Sequence, residues 1–515
     1  MRQPQKRNKL PIGIQTFAEI RDENYFYVDK TGIIGDLVEN GKYYFFSRPR
    51  RFGKSLLVST IQALFEGREE LFTGLAIHDQ WDWPTRYPVI KISFAGVARN
   101  REEMKEDIEN ILEENQRRLG VTCPRPKDIG GCFKHLIMET MVRYGQKVVI
   151  LVDEYDKLIV DNLDHLEVAK EGREILKDLY TTIKDSDEYI KFAFLTGVSK
   201  FSKVSIFSGL NNLQDISLDP RYATLCGYTH NDLETVFAEG LQGADMEEVR
   251  RWYNGYNFLG EPVYNPFDIL LFIDNGLKFD NYWFTTGTPT FLIKLIERYN
   301  YFIPQLDNLK VSKSMIDSYD IENIQLEPLL FQTGYLTIAK ALRAGAITQY
   351  RLRFPNIETR YSFNDCLLDA LTRQTSERAV LQSEIYRALE VADIDGLSLT
   401  IKRLFASIPY HNHTKNPIGG YEGYYASVIY AYLASLGLDI IPEDVTSKGR
   451  IDLMVKLGQN IYLIEFKVDG GGKALAQLKR KEYKEKYLGT GEIYLIGIDF
   501  TSAEKNVSAI EWEKV

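Results

Sequence analysis

One stretch of this chain, residues 43–57, combines an aromatic strand, a basic loop and the start of a helix. Its first four residues are aromatic, which is typical of a strand buried in a sheet. The sequence then passes through Gly53-Lys54-Ser55 into a helical pattern of apolar residues. Because a helix N-terminus offers unpaired N–H groups and a partial positive charge, this order of elements predicts a phosphate-binding loop.

The residues of this loop are candidate nucleotide ligands. Lys54 is expected to reach the β- and γ-phosphates and the Ser55 hydroxyl to hold Mg²⁺, with Gly53 beside them in the loop. The pattern departs from the common Gly-x-x-x-x-Gly-Lys-Ser/Thr at one position, because Arg48 stands where the first glycine is usual. A basic surface turn is the alternative interpretation when the stretch is taken alone.

A second apolar strand, residues 148–152, ends in two carboxylates. All five of its residues are β-branched or leucine, and Asp153 and Glu154 follow. A central parallel strand is apolar on both faces, and ligands meet an open α/β sheet at the carboxyl ends of its strands. Asp153 is therefore expected to hold Mg²⁺ and Glu154 to polarise the attacking water. A helix N-cap after a strand is the alternative for this pair.

Three further apolar runs complete an α/β domain. Residues 88–94, 191–196 and 215–218 are predicted strands with helices between them, so we expect a five-stranded parallel sheet with right-handed crossovers. Thr196, at the end of one strand, is a candidate sensor of the γ-phosphate. A strand that simply ends in a turn explains this threonine equally well.

The composition predicts a globular protein with more than one domain. The chain has 515 residues and is 44% apolar, and single hydrophobic cores do not grow to that length. It has no apolar run long enough for a membrane span and no apolar N-terminal signal segment. Its four cysteines lack metal-site spacing, which favours a reducing cytoplasm over a disulfide framework. We therefore expect a cytoplasmic protein.

From Thr229 onwards the pattern is predominantly helical and predicts a lid. Aromatic and Asn/Gly clusters within the lid are interpreted as core packing in preference to surfaces that stack bases. Helices followed by a hairpin then predict a winged-helix-like subdomain. The expected domains are an ATPase core, a lid with that subdomain, a helical linker and a C-terminal domain, at residues 1–228, 229–363, 364–415 and 416–515.

The second informative stretch is a hairpin near the C-terminus. Residues 450–457 and 460–468 are predicted strands joined by a two-residue loop. Counting outward from that loop places Asp452 opposite Glu465, with Lys467 on the same sheet face. Charges in such apolar runs are costly unless they are paired or bound to metal. A structural salt bridge between Lys467 and the two acids is the alternative.

An aspartate followed by Glu-x-Lys on a hairpin, after a helix that carries an acid, resembles the core of the PD-(D/E)XK nuclease superfamily. The resemblance implies that Asp452 and Glu465 bind Mg²⁺ and that metal-bound water is the nucleophile. It also implies that Lys467 orients this water and that Glu422 is the acid of the preceding helix.

The whole chain resembles bacterial proteins with an N-terminal AAA-ATPase-like domain and a C-terminal PD-(D/E)XK nuclease-superfamily domain. The motifs that carry this resemblance are Arg-Pro-Arg-Arg-Phe-Gly-Lys-Ser, Leu-Val-Asp-Glu-Tyr-Asp, Tyr-Asn-Gly-Tyr, Phe-Pro-Asn and Gly-Arg-Ile-Asp with Glu-Phe-Lys-Val-Asp. In that family an arginine regularly replaces the first glycine of the loop, as Arg48 does here. Gln477 resembles a glutamine that some nucleases place near nucleic acid, but Lys481 occupies the position of its tyrosine partner.

Two functions are open at this point. The first is an ATP-binding and ATP-hydrolysing protein that controls Mg²⁺-dependent cleavage of DNA or RNA. The second is a nucleotide-switched binding or signalling module with a non-catalytic nuclease-like domain. The net charge of −9 favours the second modestly, because any contact with nucleic acid must use local basic patches. A homo-oligomer is compatible with both functions.

Overall fold

The structure is a computed structural model that forms two compact units, Met1–Trp283 with Val311–Tyr350, and Phe284–Lys310 with Arg351–Val515. No helix in the part of the chain that it describes is long and apolar enough to cross a bilayer. The described residues are 9–94, 96, 98–200, 210, 212–284, 292–293, 295–296, 301–317, 322, 324–372, 377–408, 422–446, 449–504 and 506–515.

A five-stranded parallel sheet forms the centre of the first unit, as predicted. Its strands are β1 (Tyr43–Ser47), β2 (Val89–Ser93), β3 (Val148–Asp153), β4 (Ile190–Gly197) and β5 (Gln214–Asp215). Their order is β2-β3-β4-β1-β5. The last strand is shorter than the predicted 215–218. Beyond it, the Asp215 carboxylate accepts the Ser217 N–H at 2.9 Å, and the Ser217 hydroxyl instead of the main chain accepts the Ser47 N–H at 2.9 Å.

Helices cover the sheet so completely that β1 and β3 are buried at every residue. This double coverage explains why both strands are continuous apolar runs. The helices of this part are α1 (Phe17–Asp22), α2 (Thr31–Asn40), α3 (Lys54–Phe65), α4 (Arg101–Leu119), α5 (Ile129–Tyr144), α6 (Lys157–Val160) and α7 (Leu166–Asp185).

The predicted lid region contains short helices around an aromatic core. Tyr253 and Tyr264 belong to a buried cluster with Leu233, Phe237 and Phe272, as the core-packing interpretation expects. The helices are α8 (His230–Val236), α9 (Met246–Tyr253), α10 (Pro266–Asp274), α11 (Lys313–Asp317) and α12 (Leu326–Thr333). A small sheet of order β6-β8-β7 accompanies them and consists of β6 (Leu309–Ser312), β7 (Thr337–Ala344) and β8 (Ile347–Arg353).

The second unit carries a separate mixed sheet, which confirms the predicted second α/β domain. The sheet has the order β13-β12-β11-β10-β9, and only β11 and β12 are parallel among these described strands. The strands are β9 (Asp439–Thr446), β10 (Gly449–Leu457), β11 (Asn460–Val468), β12 (Glu492–Thr501) and β13 (Asn506–Lys514). The helices are α13 (Ile357–Thr372), α14 (Arg378–Glu390), α15 (Ile394–Ser407), α16 (Glu422–Ala434) and α17 (Ala474–Lys481). The expected boundary between residues 415 and 416 lies outside the described residues.

The cysteines depart from the sequence-based expectation. Cys123 and Cys132 form a disulfide, with their Cα atoms 5.4 Å apart. Cys132 lies in α5, and Cys123 lies in the loop that joins α4 to α5. The turn between two neighbouring helices therefore brings together two cysteines whose spacing gave no such indication.

Candidate active sites

The loop after β1 has the backbone of a phosphate-binding turn. Gly53 has φ +88°, and a Cβ added there would meet no atom within 4 Å. Glycine is therefore required by the left-handed conformation and not by lack of space. Helix α3 begins at the next residue, Lys54, and Ser55 lies in its first turn. The sequence-predicted loop and helix start are thus in place.

Lys54 is buried and is held by its own loop. Its Nζ donates to the main-chain oxygens of Arg48 and Pro49, at 3.0 Å each. Burial lowers the pKa of Lys54, and the nearby Asp153 carboxylate opposes that shift. A negatively charged ligand would favour the ammonium form, so the site is electrostatically suited to phosphate.

Asp153 and Thr196 lie at the carboxyl ends of β3 and β4, at the same edge of the parallel sheet as the loop after β1. Strand β4 lies between β1 and β3, and Thr196 pairs with Phe46 in the parallel ladder. Asp153 is 4% exposed and Thr196 is 0% exposed. Asp153 Oδ1 and Thr196 Oγ1 have no hydrogen-bond partner among the described residues. Because buried polar atoms are normally paired, these two oxygens fit a site for Mg²⁺ and its water.

Glu154 has an unusual backbone beside this site. Its φ is +56°, in the left-handed region that residues other than glycine rarely adopt. Burial raises the pKa of the Glu154 carboxyl, and the negative charge of Asp153 raises it further. A residue with a strained backbone and a raised pKa, beside the buried Asp153, is the arrangement expected of a general base.

Asp156 is a buried residue of this site that sequence reasoning missed. Its carboxylate accepts hydrogen bonds from the main-chain N–H of Val198 and of Ser199, at 3.2 and 2.7 Å. Tyr155 Oη donates to the Ser199 oxygen at 3.0 Å. These bonds fix the chain directly after Thr196. The second acid of the Asp-Glu-Tyr-Asp motif was the available signal.

The C-terminal hairpin has the predicted register, and its paired residues stop just before the predicted pair of acids. Strands β10 and β11 pair from Leu457 with Asn460 to Leu453 with Ile464. The ladder ends there, one position before Asp452 would face Glu465. The predicted opposition of Asp452 and Glu465 thus lies just beyond the paired residues and stays a prediction.

The irregularity has a local cause at Asp452. Its Oδ2 accepts the main-chain N–H of Phe466 at 2.8 Å. The Asp452 side chain, and not a main-chain oxygen of β10, is therefore the acceptor for this N–H of β11. On the other side, the ladder with β9 skips Asp452 and Glu443, and Glu443 has φ +50°. Ile451 and Met454 belong to one core cluster although regular alternation would separate them. The strand is thus distorted where its aspartate lies.

Glu465 is buried within a small polar network. Its side chain is 1% exposed, and Lys467 Nζ lies 3.7 Å from Oε1. Gln477 Nε2, on α17, donates to the same oxygen. Asp499 on β12 accepts the N–H groups of Lys473 and Ala474, which fixes the start of α17. Helix α17 therefore places Gln477, whose role was doubtful from the sequence, beside Glu465.

Tyr483 is the second residue that sequence reasoning missed. Burial raises the pKa of its phenol, and the charges of Glu465 and Asp452 raise it further. The phenol therefore lies close to both acids. Helix α17 ends at Lys481, and Glu482 has φ +46°, so the chain turns just before this tyrosine. Helical spacing after Gln477 leads to Lys481, so the sequence pattern does not indicate that turn.

A cleft of about 460 Å³ opens at Asp452 within the second unit. Helix α16 lines one side of it through Gly423, Ala426 and Tyr430. Glu422 begins this helix, but its side chain lies outside the described part of the chain. Within the described residues, no group of three or more His, Cys, Asp or Glu side chains could hold a metal ion together. Besides Asp452, Glu443 is a carboxylate of this cleft, and Arg450 Nη1 lies 3.0 Å from its Oε1.

Comparisons with known proteins agree with the division into two sites. The family model described as "Predicted AAA-ATPase" matches residues 11–207, which include Lys54, Asp153 and Thr196. The model of the PD-(D/E)XK nuclease superfamily matches residues 420–510, which include the C-terminal hairpin. No solved structure matches the chain.

A curated relative extends over almost the whole length. The chain is 48% identical over 507 residues to a protein of Azotobacter chroococcum mcd 1, described as "Uncharacterized protein in vnfD 5'region". The alignment covers 97% of this chain and 98% of that protein. The chain therefore belongs to the same family as the Azotobacter protein, with a predicted AAA-ATPase domain followed by a PD-(D/E)XK nuclease superfamily domain.

Proposed function

We propose that this protein binds and hydrolyses ATP with Mg²⁺ and thereby controls a Mg²⁺-dependent nuclease domain that acts on nucleic acid. The observation that carries the ATP site is the approach of Lys54, Asp153 and Thr196, with two buried oxygens that lack partners. Lys54 would bind the β- and γ-phosphates, and Ser55 and Asp153 would hold Mg²⁺. Glu154 would take the proton of the attacking water.

The nuclease proposal rests on Asp452, Glu465 and Lys467. Asp452 and Glu465 would hold Mg²⁺, and Glu422 would be the acid contributed by the helix. Bound Mg²⁺ would polarise the phosphate and lower the pKa of a bound water. Lys467 lies beside Glu465 and would orient that water, while Gln477 keeps the Glu465 carboxylate in place.

A second candidate function is a nucleotide-switched binding module with an inactive nuclease-like domain. One observation favours it: the net charge of −9 gives the whole chain no electrostatic attraction to nucleic acid. Metal binding by the hairpin separates the two functions, because only the nuclease needs it.

Calorimetric titration with ATP and Mg²⁺ tests the ATP site. Wild-type protein is expected to bind ATP, Lys54→Ala to lose binding, and Glu154→Gln to bind but turn over slowly. Lys54→Ala removes the ammonium from the phosphates, whereas Glu154→Gln removes only the base. Wild-type affinity in Lys54→Ala, or equal loss of binding and turnover in Glu154→Gln, would contradict these roles.

A further inference from the structure

Arg48 replaces the first glycine of the loop, and its side chain turns into the protein. The residue is 1% exposed. Its Nη1 donates to the oxygens of Ser47 and Ser217, at 2.9 and 2.7 Å. Its Nη2 donates to the oxygens of Tyr222 and Ala223, at 3.2 and 3.3 Å. Among the described residues, this guanidinium therefore bonds only main-chain carbonyls.

Two aromatic rings bracket the same guanidinium. Its Cζ lies 4.3 Å from the centre of the Phe46 ring and 3.8 Å from that of Phe258. A planar cation suits this environment better than a lysine ammonium would, because it stacks and bonds in one plane. Burial lowers the pKa of Arg48 to about 9, which still leaves it charged at neutral pH.

The main chain of Arg48 contacts both halves of the ATP site. Its N–H donates to the Gly197 oxygen at 3.2 Å, directly after Thr196. Its carbonyl accepts from Lys54 Nζ at 3.0 Å. The side chain and the main chain of one residue thus join the loop, the end of β4 and the segment at 217–223.

Neighbouring contacts hold the loop against the lid region. Phe52 packs edge-on against Tyr256, with ring centres 4.9 Å apart. A Cβ on Gly334 would lie 2.7 Å from Pro49 Cβ, so the chain approaches this side of the loop closely. Arg48 is therefore the charged centre of a loop that is packed on both sides.

We infer that Arg48 is a positioning residue for nucleotide binding, which holds the loop main chain so that Lys54 is presented to phosphate. The inference rests on the proposed ATP site. Glycine is the usual residue at this position of a phosphate-binding loop. In this protein, however, the substitution Arg48→Gly should weaken ATP binding. Arg48→Gly would leave four carbonyls without their donor and an empty space between two rings.

The test measures the dissociation constant for ATP, and KM and kcat for hydrolysis, in wild type, Arg48→Gly, Arg48→Lys and Arg221→Met. Arg221 is exposed and paired with Asp219 in the same segment, so its variant is the control. We expect Arg48→Gly to weaken ATP binding at least about tenfold and to raise KM more than it lowers kcat. Arg48→Lys keeps the positive charge but loses the planar set of guanidinium donors. Its dissociation constant for ATP should therefore lie between those of Arg48→Gly and wild type.

The outcomes separate this inference from the ATP proposal. If wild type binds no ATP, the proposed site fails and the inference fails with it. If wild type binds and Arg48→Gly binds as tightly, the inference alone is overturned. A lower kcat with unchanged KM would also overturn it, because it indicates loss of folded protein without a misplaced loop. If Arg48→Gly does not fold, wild-type KM in Arg48→Lys overturns it.

Discussion

At the scale of the single side chain, two equally buried threonines of the first unit differ in whether their hydroxyls are hydrogen-bonded. Thr196 Oγ1 has no hydrogen-bond partner among the described residues, whereas the equally buried Thr31 donates to Asp29 Oδ1 at 2.6 Å and accepts from Ile77 N at 3.2 Å. A sequence shows both residues simply as threonines near the end of a strand or the start of a helix. Only the three-dimensional surroundings separate them.

Thr196→Val and Thr31→Val should therefore change stability in opposite directions. Removing the unpaired hydroxyl of Thr196 should stabilise the nucleotide-free protein by about 1 kcal/mol, since an unpaired buried hydroxyl is costly. Removing the bonded hydroxyl of Thr31 should destabilise it by a similar amount. Urea unfolding without nucleotide measures both, and a destabilised Thr196→Val would mean that its oxygen has a structural partner.

The raised pKa of Glu154 predicts that the stability of the folded protein depends on pH. Because burial raises the pKa of Glu154, the folded protein holds this proton more tightly than the unfolded chain. Stability contributed by this group therefore falls as pH rises from the ordinary glutamate pKa of about 4.3 through the raised value. Glu154→Gln should melt at a higher temperature than wild type at pH 7, and the difference should vanish near pH 4. A lower melting temperature for the variant at pH 7 would contradict the assigned shift.

Secondary-structure elements were predictable from sequence wherever apolar periodicity was strong. Strand β11 has the predicted bounds, and the hairpin register follows from its two-residue loop. The distortion at Asp452 could not be predicted, because it depends on a side chain that captures the N–H of Phe466. The position of Tyr483 depends in the same way on the left-handed turn at Glu482.

The start of α3 depends on a left-handed glycine. Gly53→Ala should destabilise the protein by about 1 kcal/mol or more, because φ +88° is unfavourable for alanine. Gly130→Ala, in the first turn of α5, is the matched control, since a Cβ there makes only an ordinary 3.7 Å contact with Thr182. Thermal unfolding should show a loss only for Gly53→Ala. Equal melting temperatures for the two variants would mean that the loop tolerates alanine.

The position of Gln477 on helix α17 predicts that this residue affects metal binding. Gln477→Ala should weaken Mn²⁺ binding by about tenfold or more, because Gln477 holds the Glu465 carboxylate that is proposed as a ligand. Arg480→Ala, at an exposed position of the same helix, should leave Mn²⁺ affinity unchanged. Titration followed by Mn²⁺ electron paramagnetic resonance measures both variants. If Gln477→Ala binds Mn²⁺ as tightly as wild type, Gln477 does not contribute to the metal site.

At the scale of the whole molecule, the sequence indicated two separate chemistries, and the two units carry one candidate site each. Lys54 and Asp153 lie in the first unit, and Asp452 and Glu465 lie in the second. Sequence motifs identify each site because its residues stand in short recognisable runs next to predicted strands. Control of one site by the other is a property of the whole protein, and it leaves no local pattern to recognise.

Cleavage of labelled single- and double-stranded DNA and RNA with Mg²⁺ or Mn²⁺, with and without ATP, tests this account most directly. Wild type is expected to cleave in a metal-dependent manner that ATP changes. Lys54→Ala should keep metal-dependent cleavage but lose the response to ATP. Asp452→Asn should lose cleavage and keep ATP hydrolysis. If wild-type protein hydrolyses ATP but cleaves none of these substrates with either metal, the proposed nuclease activity is contradicted. The nucleotide-switched binding module would then be the remaining function.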